Sequence, residues 1–324
     1  MRLSRLASGL AAVAVAGALG IGSANADYPT QSITLVVPFG AGGTNDIIGR
    51  ILAEPLGERL GQSIVIDNRP GAGGRVGTLH ASQQAPDGYT LTMSSSGTNA
   101  IGKLVHPDID YEPLEDFTYI GLIAETPYVL AVRDDSEFES LDQLIETAEE
   151  RPGELNFGTA GVGSATHLAA ELFLDLAEVD MVHIPYDGSG PASAALLGGE
   201  VDFIFSSFPG VISHVQSGEA RLLGVGTLER VPQVPDVPTM DEQGLEGYEA
   251  TLWISIAGPA GIPDEIVEKL YAEITDIVEN DEDTRNRFVE NGAAPLTSER
   301  PEDVIDLVQQ TMDRWGPIVE RTVD

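Results

Sequence analysis

Short runs of β-branched residues alternate with longer amphipathic stretches along almost the whole chain. The short runs predict strands at 32–37, 63–67, 89–94, 155–159, 181–184, 201–205 and 221–227, with longer extended segments at 117–133 and 251–257. The amphipathic stretches predict helices at 45–60, 141–150, 164–176, 264–280, 284–291 and 301–321. This alternation indicates an α/β fold in which helices cover parallel sheets.

The two long extended segments, near residues 125 and 250, divide the chain into two lobes. Residues 27–125 and 251–324 are expected to form one discontinuous lobe, and residues 126–250 an inserted second lobe. A chain of 324 residues supports this division, because chains beyond roughly 250 to 300 residues seldom keep a single core. We expect a cleft between the lobes.

The first 26 residues have the pattern of a secretory signal peptide. Arg2 and Arg5 precede an apolar stretch at 9–22, and small residues surround the end of the segment at Ala26. The apolar stretch is shorter than the ~20 residues that span a bilayer, so cleavage after Ala26 is favoured over a membrane anchor. We expect a soluble protein in the periplasm.

The charge balance excludes several classes of function. The chain has 17 Lys and Arg against 52 Asp and Glu, a formal net charge of −35, so nucleic acid is not an expected partner. Repulsion of this size is relieved by salt, which suggests a salt-loving or salt-tolerant host. Cysteine is absent, and the five histidines show no metal-ligand spacing. We therefore expect neither a metal nor a cofactor.

Two glycine-rich turns, at 38–46 and 159–166, each connect a predicted strand to a predicted helix. The first turns of helices bind anions through unpaired backbone N–H groups and a partial positive charge. Two such turns facing one cleft would hold the two ends of a dicarboxylate. Ordinary helix capping by Thr44, Asn45 and Ser164 is the alternative interpretation. The glycine spacing fits neither a P-loop nor a dinucleotide fingerprint.

Further candidates lie close to these turns. A loop after the third predicted strand carries the hydroxyls of Ser95, Ser96 and Thr98, at the strand end where α/β sheets gather ligands. Arg69 and Arg75 would supply positive charge, although exposed loop arginines are commoner. The carboxylate of Asp46 would repel an acid, and it is interpreted first as a stabilising charge in the first turn of a helix.

Catalysis has weak support. Ser164 and His167 are three residues apart on a predicted helix, but no Gly-x-Ser-x-Gly elbow is present. We interpret Ser164 as a helix cap and His167 as a polar contact near the pocket, which indicates a protein that is not an enzyme. A secreted serine hydrolase using these two residues is the alternative from a different class.

Several motifs occur in a characteristic order over nearly the whole mature chain. They are Pro38-Phe39-x-x-Gly42-Gly43-x-x-Asp46, Asn68-Arg69-Pro70-Gly71, Gly163-Ser164-x-x-His167, His183-x-Pro185-Tyr186, Gly199-x-Val201-Asp202 and Gly258-Pro259-Ala260-Gly261. The ordered set resembles the extracytoplasmic solute receptors of tripartite tricarboxylate transporters, the Bug family. One departure is Asp187, where many relatives carry lysine.

The resemblance implies a periplasmic-binding-protein type II fold that closes by a hinge on a small carboxylate. The carboxylate would be a di- or tricarboxylate or a related organic acid, delivered to large and small membrane permease subunits by a receptor that acts as a monomer. A periplasmic sensory ligand-binding protein for a membrane kinase is the alternative within the same fold. The implied ligand-binding residues are Phe39, Gly43, Thr44, Asn45, Asp46, Ser95, Ser96, Thr98, Thr159, Gly163, Ser164, Ala165, Thr166, Tyr186 and Asp202.

Overall fold

The computed structural model describes residues 28–322, so the predicted signal peptide at 1–26 lies outside the described residues. The strands are β1 Ile33–Val37, β2 Ile64–Asn68, β3 Thr90–Ser95, β4 Phe117–Arg133, β5 Asn156–Thr159, β6 Val182–Pro185, β7 Phe203–Ser207, β8 Ala220–Val225, β9 Thr251–Pro259 and β10 Ala294–Pro295. The helices are α1 Thr44–Leu60, α2 Arg75–Ser82, α3 Gly102–Val105, α4 Leu141–Glu150, α5 Ala165–Ala177, α6 Ser189–Leu197, α7 Ile212–Gln216, α8 Asp264–Asn280, α9 Glu282–Glu290 and α10 Asp303–Thr322. The α/β fold class is confirmed.

The strands form one continuous hydrogen-bonded path in the order β2-β1-β3-β9-β4-β7-β5-β6, and β8 and β10 also pair with β4. β1 is parallel to β2 and β3, and β5 is parallel to β6 and β7, as the alternation predicts. The expectation of parallel sheets is wrong in the middle, where β9 is antiparallel to β3 and β4. The reason is that β4 leaves the first half of the molecule and β9 returns to it, so the two must run in opposite directions.

β4 belongs to both halves of the sheet. From Phe117 to Pro127 it pairs with β9, and from Tyr128 onward it pairs with β7 and β8. At the change of partners the amide of Tyr128 donates to the carbonyl of Ala250 at 3.1 Å. The carbonyl of Tyr128 accepts from Gly226 at 2.7 Å. The two halves are therefore joined by adjacent extended strands.

Apolar helix faces cover this sheet. In α1, Ile48, Ile51, Leu52 and Leu56 are buried, which is the spacing expected for one helix face. At the other end of the chain, α10 is anchored by a 2.9 Å hydrogen bond from Trp253 Nε1 to Thr311 Oγ1. Residues 28–322 contain no helix long and apolar enough to cross a membrane.

Candidate functional site between the lobes

A cavity of about 30 Å³ lies where the N-termini of α1 and α5 face each other. Its walls come from both lobes, on either side of the strands β4 and β9 that connect them. The residues lining it are Phe39, Gly43, Thr44, Asn45, Ser95, Gly97, Tyr128, Ala160, Ser164, Ala165, Thr166, Ser189, Ser207 and Leu252. The two glycine-rich turns identified in the sequence therefore meet at one enclosed space.

The first wall is the start of α1. Gly43 is the N-cap residue, and Thr44 and Asn45 open the helix, where backbone N–H groups have no carbonyl one turn earlier to bond. Asn45 is 3% exposed, and its Nδ2 has no hydrogen-bond partner among the described residues. A buried donor left unpaired costs about 1 to 3 kcal/mol. An acceptor atom placed in the cavity would recover that free energy.

Asp46 is turned into a network behind this wall and does not line the cavity. Its carboxylate accepts from the amide of Gly42 at 2.9 Å, from Arg50 Nε at 2.9 Å and from Asn68 Nδ2 at 3.0 Å. Burial alone would raise the pKa of Asp46, but the hydrogen bonds from Arg50, Gly42 and Asn68 outweigh burial and hold the pKa below its usual value. The carboxylate thus fixes the first turn and stays ionised.

The second wall is the start of α5, where Ala165 and Thr166 are the first two helical residues. The hydroxyl of Ser164, the N-cap residue, accepts from the amide of His167 at 3.3 Å. Thr166 Oγ1 accepts from the amide of Ala160 at 2.9 Å. These bonds fix the second turn without using the N–H groups of the first two helical residues.

The two lobes touch directly across the cavity. The hydroxyls of Thr44 and Ser207 are hydrogen-bonded to each other. The amide of Gly40 donates to the carbonyl of Asp187 at 3.1 Å. The lobes are therefore in contact on either side of the cavity.

Glycines permit this close approach of backbone to backbone. A Cβ atom on Gly190 would lie 2.7 Å from the carbonyl oxygen of Ala41. A Cβ on Gly73 would lie 2.7 Å from the carbonyl oxygen of Val162. Any other residue at either position would hold the lobes apart.

Eight of the residues implied by the resemblance line the cavity. They are Phe39, Gly43, Thr44, Asn45, Ser95, Ser164, Ala165 and Thr166. The structure therefore brings together residues from three separate loops, of which the first and the last are more than 100 positions apart in the chain.

The other seven, Asp46, Ser96, Thr98, Thr159, Gly163, Tyr186 and Asp202, lie behind or beside the cavity walls. Thr98 Oγ1 accepts from the amide of Ser95 at 3.3 Å and so shapes the loop that carries Ser95. Asp202 Oδ2 accepts from the amide of Asn156 at 2.8 Å, at the start of β5. Tyr186 lines a separate surface depression at the mouth of the cleft.

The two candidate arginines are also outside the cavity lining. Arg69 Nε is 2.7 Å from the carboxylate of Asp67, and Arg75 Nε donates to the carbonyl of Ala72 at 2.9 Å. Both side chains are bonded to their own loops, so the charge offered to the cavity comes from helix ends.

Sequence reasoning missed four lining residues, Tyr128, Ser189, Ser207 and Leu252, and did not single out Gly97 and Ala160 within the loops that it had identified. Ser207 ends β7, and the rule that ligands gather at the carboxyl ends of strands would have found it. Ser189 begins α6, a helix that the sequence reading did not include.

The geometry also bears on the hydrolase alternative. Ser164 Oγ accepts from the backbone of His167 and shares a hydrogen bond with Thr166 Oγ1 at 2.9 Å. His167 Nδ1 accepts from the amide of Gly163 at 3.3 Å, and Nε2 lies 3.3 Å from Glu171. Within residues 28–322 no hydrogen bond joins the hydroxyl of Ser164 to the imidazole of His167. A nucleophile needs such a contact with its base.

Comparison with known proteins gives concordant matches. The model of the family described as tripartite tricarboxylate transporter family receptor matches residues 48–323. Protein BugT of Bordetella pertussis is 36% identical over 296 residues, which cover 91% of this chain and 90% of BugT.

Two solved structures from Rhodopseudomonas palustris have the same fold. One, determined with adipate, is 35% identical and superposes with a TM-score of 0.87 over 91% of this chain and 98% of its own. The other, MatC with bound malate, is 33% identical with a TM-score of 0.86, covering 90% of this chain and 100% of MatC.

Proposed function

This chain belongs to the tripartite tricarboxylate transporter receptor family, and from that premise we propose that it captures a small carboxylate between its lobes as an extracytoplasmic solute receptor. The carboxylate would be a di- or tricarboxylate or a related organic acid. The observation that carries the proposal is the cavity lined by the starts of both α1 and α5. The adipate and malate in the two R. palustris structures support the same ligand class.

The groups that line the cavity suit carboxylate oxygens. Each helix start contributes unpaired N–H groups and about half a positive charge. Hydroxyls from both lobes and the unpartnered Nδ2 of Asn45 add further donors. Charge-assisted hydrogen bonds contribute about 1.5 to 3 kcal/mol each, so four or five suffice for roughly micromolar affinity after the costs of binding. Helix fields act locally, so they operate despite the net charge of −35.

Capture would proceed by closure of the two lobes, which would rotate about β4 and β9, the strands that connect them. We place the lobe boundaries at 27–125, 126–250 and 251–324, beside the point where β4 changes partners at Pro127 and Tyr128. A rotation there would separate Thr44 from Ser207 and open the cavity to solvent. The closed form with ligand would then be the form presented to a transporter.

The proposed cellular role follows from the family and from the start of the chain. The segment 1–26 would direct export and be cleaved after Ala26, which places the receptor in the periplasm. Its partners would be the large and small membrane permease subunits of a tripartite tricarboxylate-type transporter. The protein would act without catalysis, as a monomer.

A thermal-shift screen at high salt tests the proposal. The panel contains malate, adipate, citrate and other di- and tricarboxylates, with the matching diols and amines as controls. We expect at least one acid at millimolar concentration to raise the melting temperature, because a ligand that binds only the folded state stabilises it by mass action. The shift should be smaller in Ala165→Pro, which lacks one amide at the cavity wall. If no acid raises the melting temperature more than its matching diol does, carboxylate capture is contradicted.

A further inference from the structure

Two stacked imidazole rings lie directly behind the second turn. The ring centroids of His167 and His183 are 4.2 Å apart with the planes inclined by 22°, and Phe157 stacks on His183 at 5.2 Å. His167 is only 8% exposed. Neither imidazole lines the cavity, so carboxylate capture as described above leaves both without a role.

The ring nitrogens are tied to the turn that begins α5. The amide of Gly163 donates to His167 Nδ1 at 3.3 Å. Thr159 Oγ1 accepts from the amide of Gly161 at 3.2 Å and lies 2.6 Å from His183 Nε2. A backbone amide can only donate, so the bond from Gly163 requires that His167 Nδ1 carries no proton.

Glu171 explains how that tautomer is maintained. Its Oε1 lies 3.3 Å from His167 Nε2, one turn further along α5, so the nearby carboxylate favours a proton on that nitrogen. With the proton held at Nε2, Nδ1 remains free to accept from the turn. His167 is thus an oriented acceptor, in contact with a carboxylate on one side and with the amide of Gly163 on the other.

The surroundings of the stack disfavour a positive charge on the two neighbouring histidines, His183 and His106. Burial, followed by the neighbouring His167, lowers the pKa of His183 from its usual 6.5 to about 4. His106 faces Gly163 from the other lobe, and burial together with Arg75 lowers its pKa as well. The carboxylates in range are Glu171 on His167 and Asp108 on His106.

We propose that His167 is a positioning residue for carboxylate binding, whose Nδ1 holds the 159–163 turn so that the amides of Ala165 and Thr166 face the cavity. The inference rests on the proposed function and names a residue outside the cavity on which the second turn depends. Without an acceptor at the position of Nδ1, the amide of Gly163 loses its partner and the turn relaxes. Carboxylate affinity should therefore fall when that acceptor is removed.

The stack makes the stability of the fold depend on pH. A histidine whose folded-state pKa lies below its unfolded value stabilises the fold fully above that unfolded value and loses the contribution as pH falls. For His183 the window runs from about 6.5 down to about 4. Acidification within this window should lower the free energy of unfolding, while His183 in the folded protein stays neutral.

Calorimetric titration with malate and with adipate at pH 7.5 tests the proposal. We expect His167→Ala to weaken binding at least about tenfold. His167→Asn, which returns an acceptor oxygen near the position of Nδ1, should recover most of that loss.

The control is His214→Asn, because His214 Nδ1 pairs with Glu219 at 3.0 Å away from the cavity. It should bind both acids as wild type does. If His167→Ala also binds as wild type does, or if His167→Asn recovers none of the affinity that His167→Ala loses, the assignment of His167 is overturned.

Nitrogen NMR of the ligand-free protein gives a test that needs no ligand. We expect His167 Nδ1 to carry no proton and to accept from the amide of Gly163. A proton on Nδ1 at pH 7 would refute the positioning role even if acids bind. A correct tautomer together with a flat thermal-shift screen would instead refute the ligand class.

Discussion

The turns before α1 and α5 present helix amides to the same cavity, but they are held by different chemistry. The first is fixed by a carboxylate, since Asp46 accepts from the amide of Gly42 and from Arg50 and Asn68. The second is fixed by neutral groups, mainly the hydroxyls of Thr159, Ser164 and Thr166 and the imidazole of His167. Its N-cap is a serine hydroxyl, whereas the N-cap of α1 is Gly43.

This difference concerns which groups hold each turn, not the pH range over which they hold it. A carboxylate with a lowered pKa remains charged until the pH falls below its usual value near 4. Behind the second turn, burial lowers the pKa of His183 to about 4, so that ring also keeps its neutral form down to this pH. The two lobes therefore present the same helix-end chemistry on different supports.

The largest effect should come from removing one cavity-facing amide in either lobe. Thr44→Pro and Ala165→Pro change the first residue of α1 and of α5, a position where proline fits a helix. The residues before them, Gly43 and Ser164, have the extended backbone that proline requires. We expect each variant to weaken carboxylate binding about 10- to 150-fold in calorimetry, the equivalent of one charge-assisted bond.

Two controls accompany these variants. Glu282→Pro makes the same change at the exposed first residue of α9 and should leave affinity unaltered. Arg69→Ala removes a positive charge that is paired with Asp67 outside the cavity lining. Stronger loss of affinity in Arg69→Ala than in either cavity proline variant would show that side-chain charge, not backbone, binds the acid.

Asp46→Ala should show the pH resistance of the first turn. It removes the acceptor of three hydrogen bonds, and urea denaturation at pH 7 should show a loss of about 1 to 3 kcal/mol in the free energy of unfolding. Because the folded-state pKa of Asp46 is lowered, the loss relative to wild type should be constant from pH 8 to 5 and shrink below about pH 4.

Asp276→Ala is the matched control for that measurement. Asp276 also pairs with an arginine, Arg59, but its side chain is 52% exposed, against 5% for Asp46. Exposed pairs contribute little to stability, so this variant should lose less than Asp46→Ala. Equal losses would mean that the carboxylate network in the first turn has no special role.

Ser164→Ala tests the neutral cap of the second turn. We expect a loss of about 1 kcal/mol in the free energy of unfolding, the usual effect of removing a helix cap, and a modest loss of affinity. Ser140→Ala removes an equivalent cap on α4, where Ser140 accepts from the amide of Gln143 at 3.2 Å. The control should match the stability loss and leave binding intact. Reduced binding in both would tie affinity to global stability alone.

Ser207→Ala should have the smallest effect. It removes the hydroxyl that bonds to Thr44 across the cavity, so the closed form loses one neutral hydrogen bond. A weakening of affinity by about two- to fivefold is expected, with the melting temperature of the ligand-free protein nearly unchanged. An unchanged affinity would indicate that this contact does not contribute to closure.

The sequence predicted helices and strands well where one amphipathic face or one β-branched run marked the element. The bounds of β4, α4 and α8 agree with the patterns at 117–133, 141–150 and 264–280. It missed α6, Ser189–Leu197, because Gly190 and Pro191 near its start are typical of a turn and the rest lacks a polar face. Proline is compatible with the first turn of a helix, so the local signal was ambiguous.

The candidate site was predictable only in part, because local patterns do not show which distant parts of the chain meet. The two turns are local patterns, so Thr44 and Ser164 could be chosen from their neighbours in the chain. Ser207 depends on which strand ends converge, which is set by sheet order and not by periodicity. The inward direction of Asp46 depends on Asn68, a partner 22 positions away.

The central claim, that the two turns jointly bind one acid, is tested most directly by a crystal structure with the carboxylate that raises the melting temperature most. We predict that its oxygens lie within hydrogen-bond distance of the amides of Thr44 or Asn45 on one side and of Ala165 or Thr166 on the other. An acid bound elsewhere, or held in the cavity by only one of the two turns, would contradict the account.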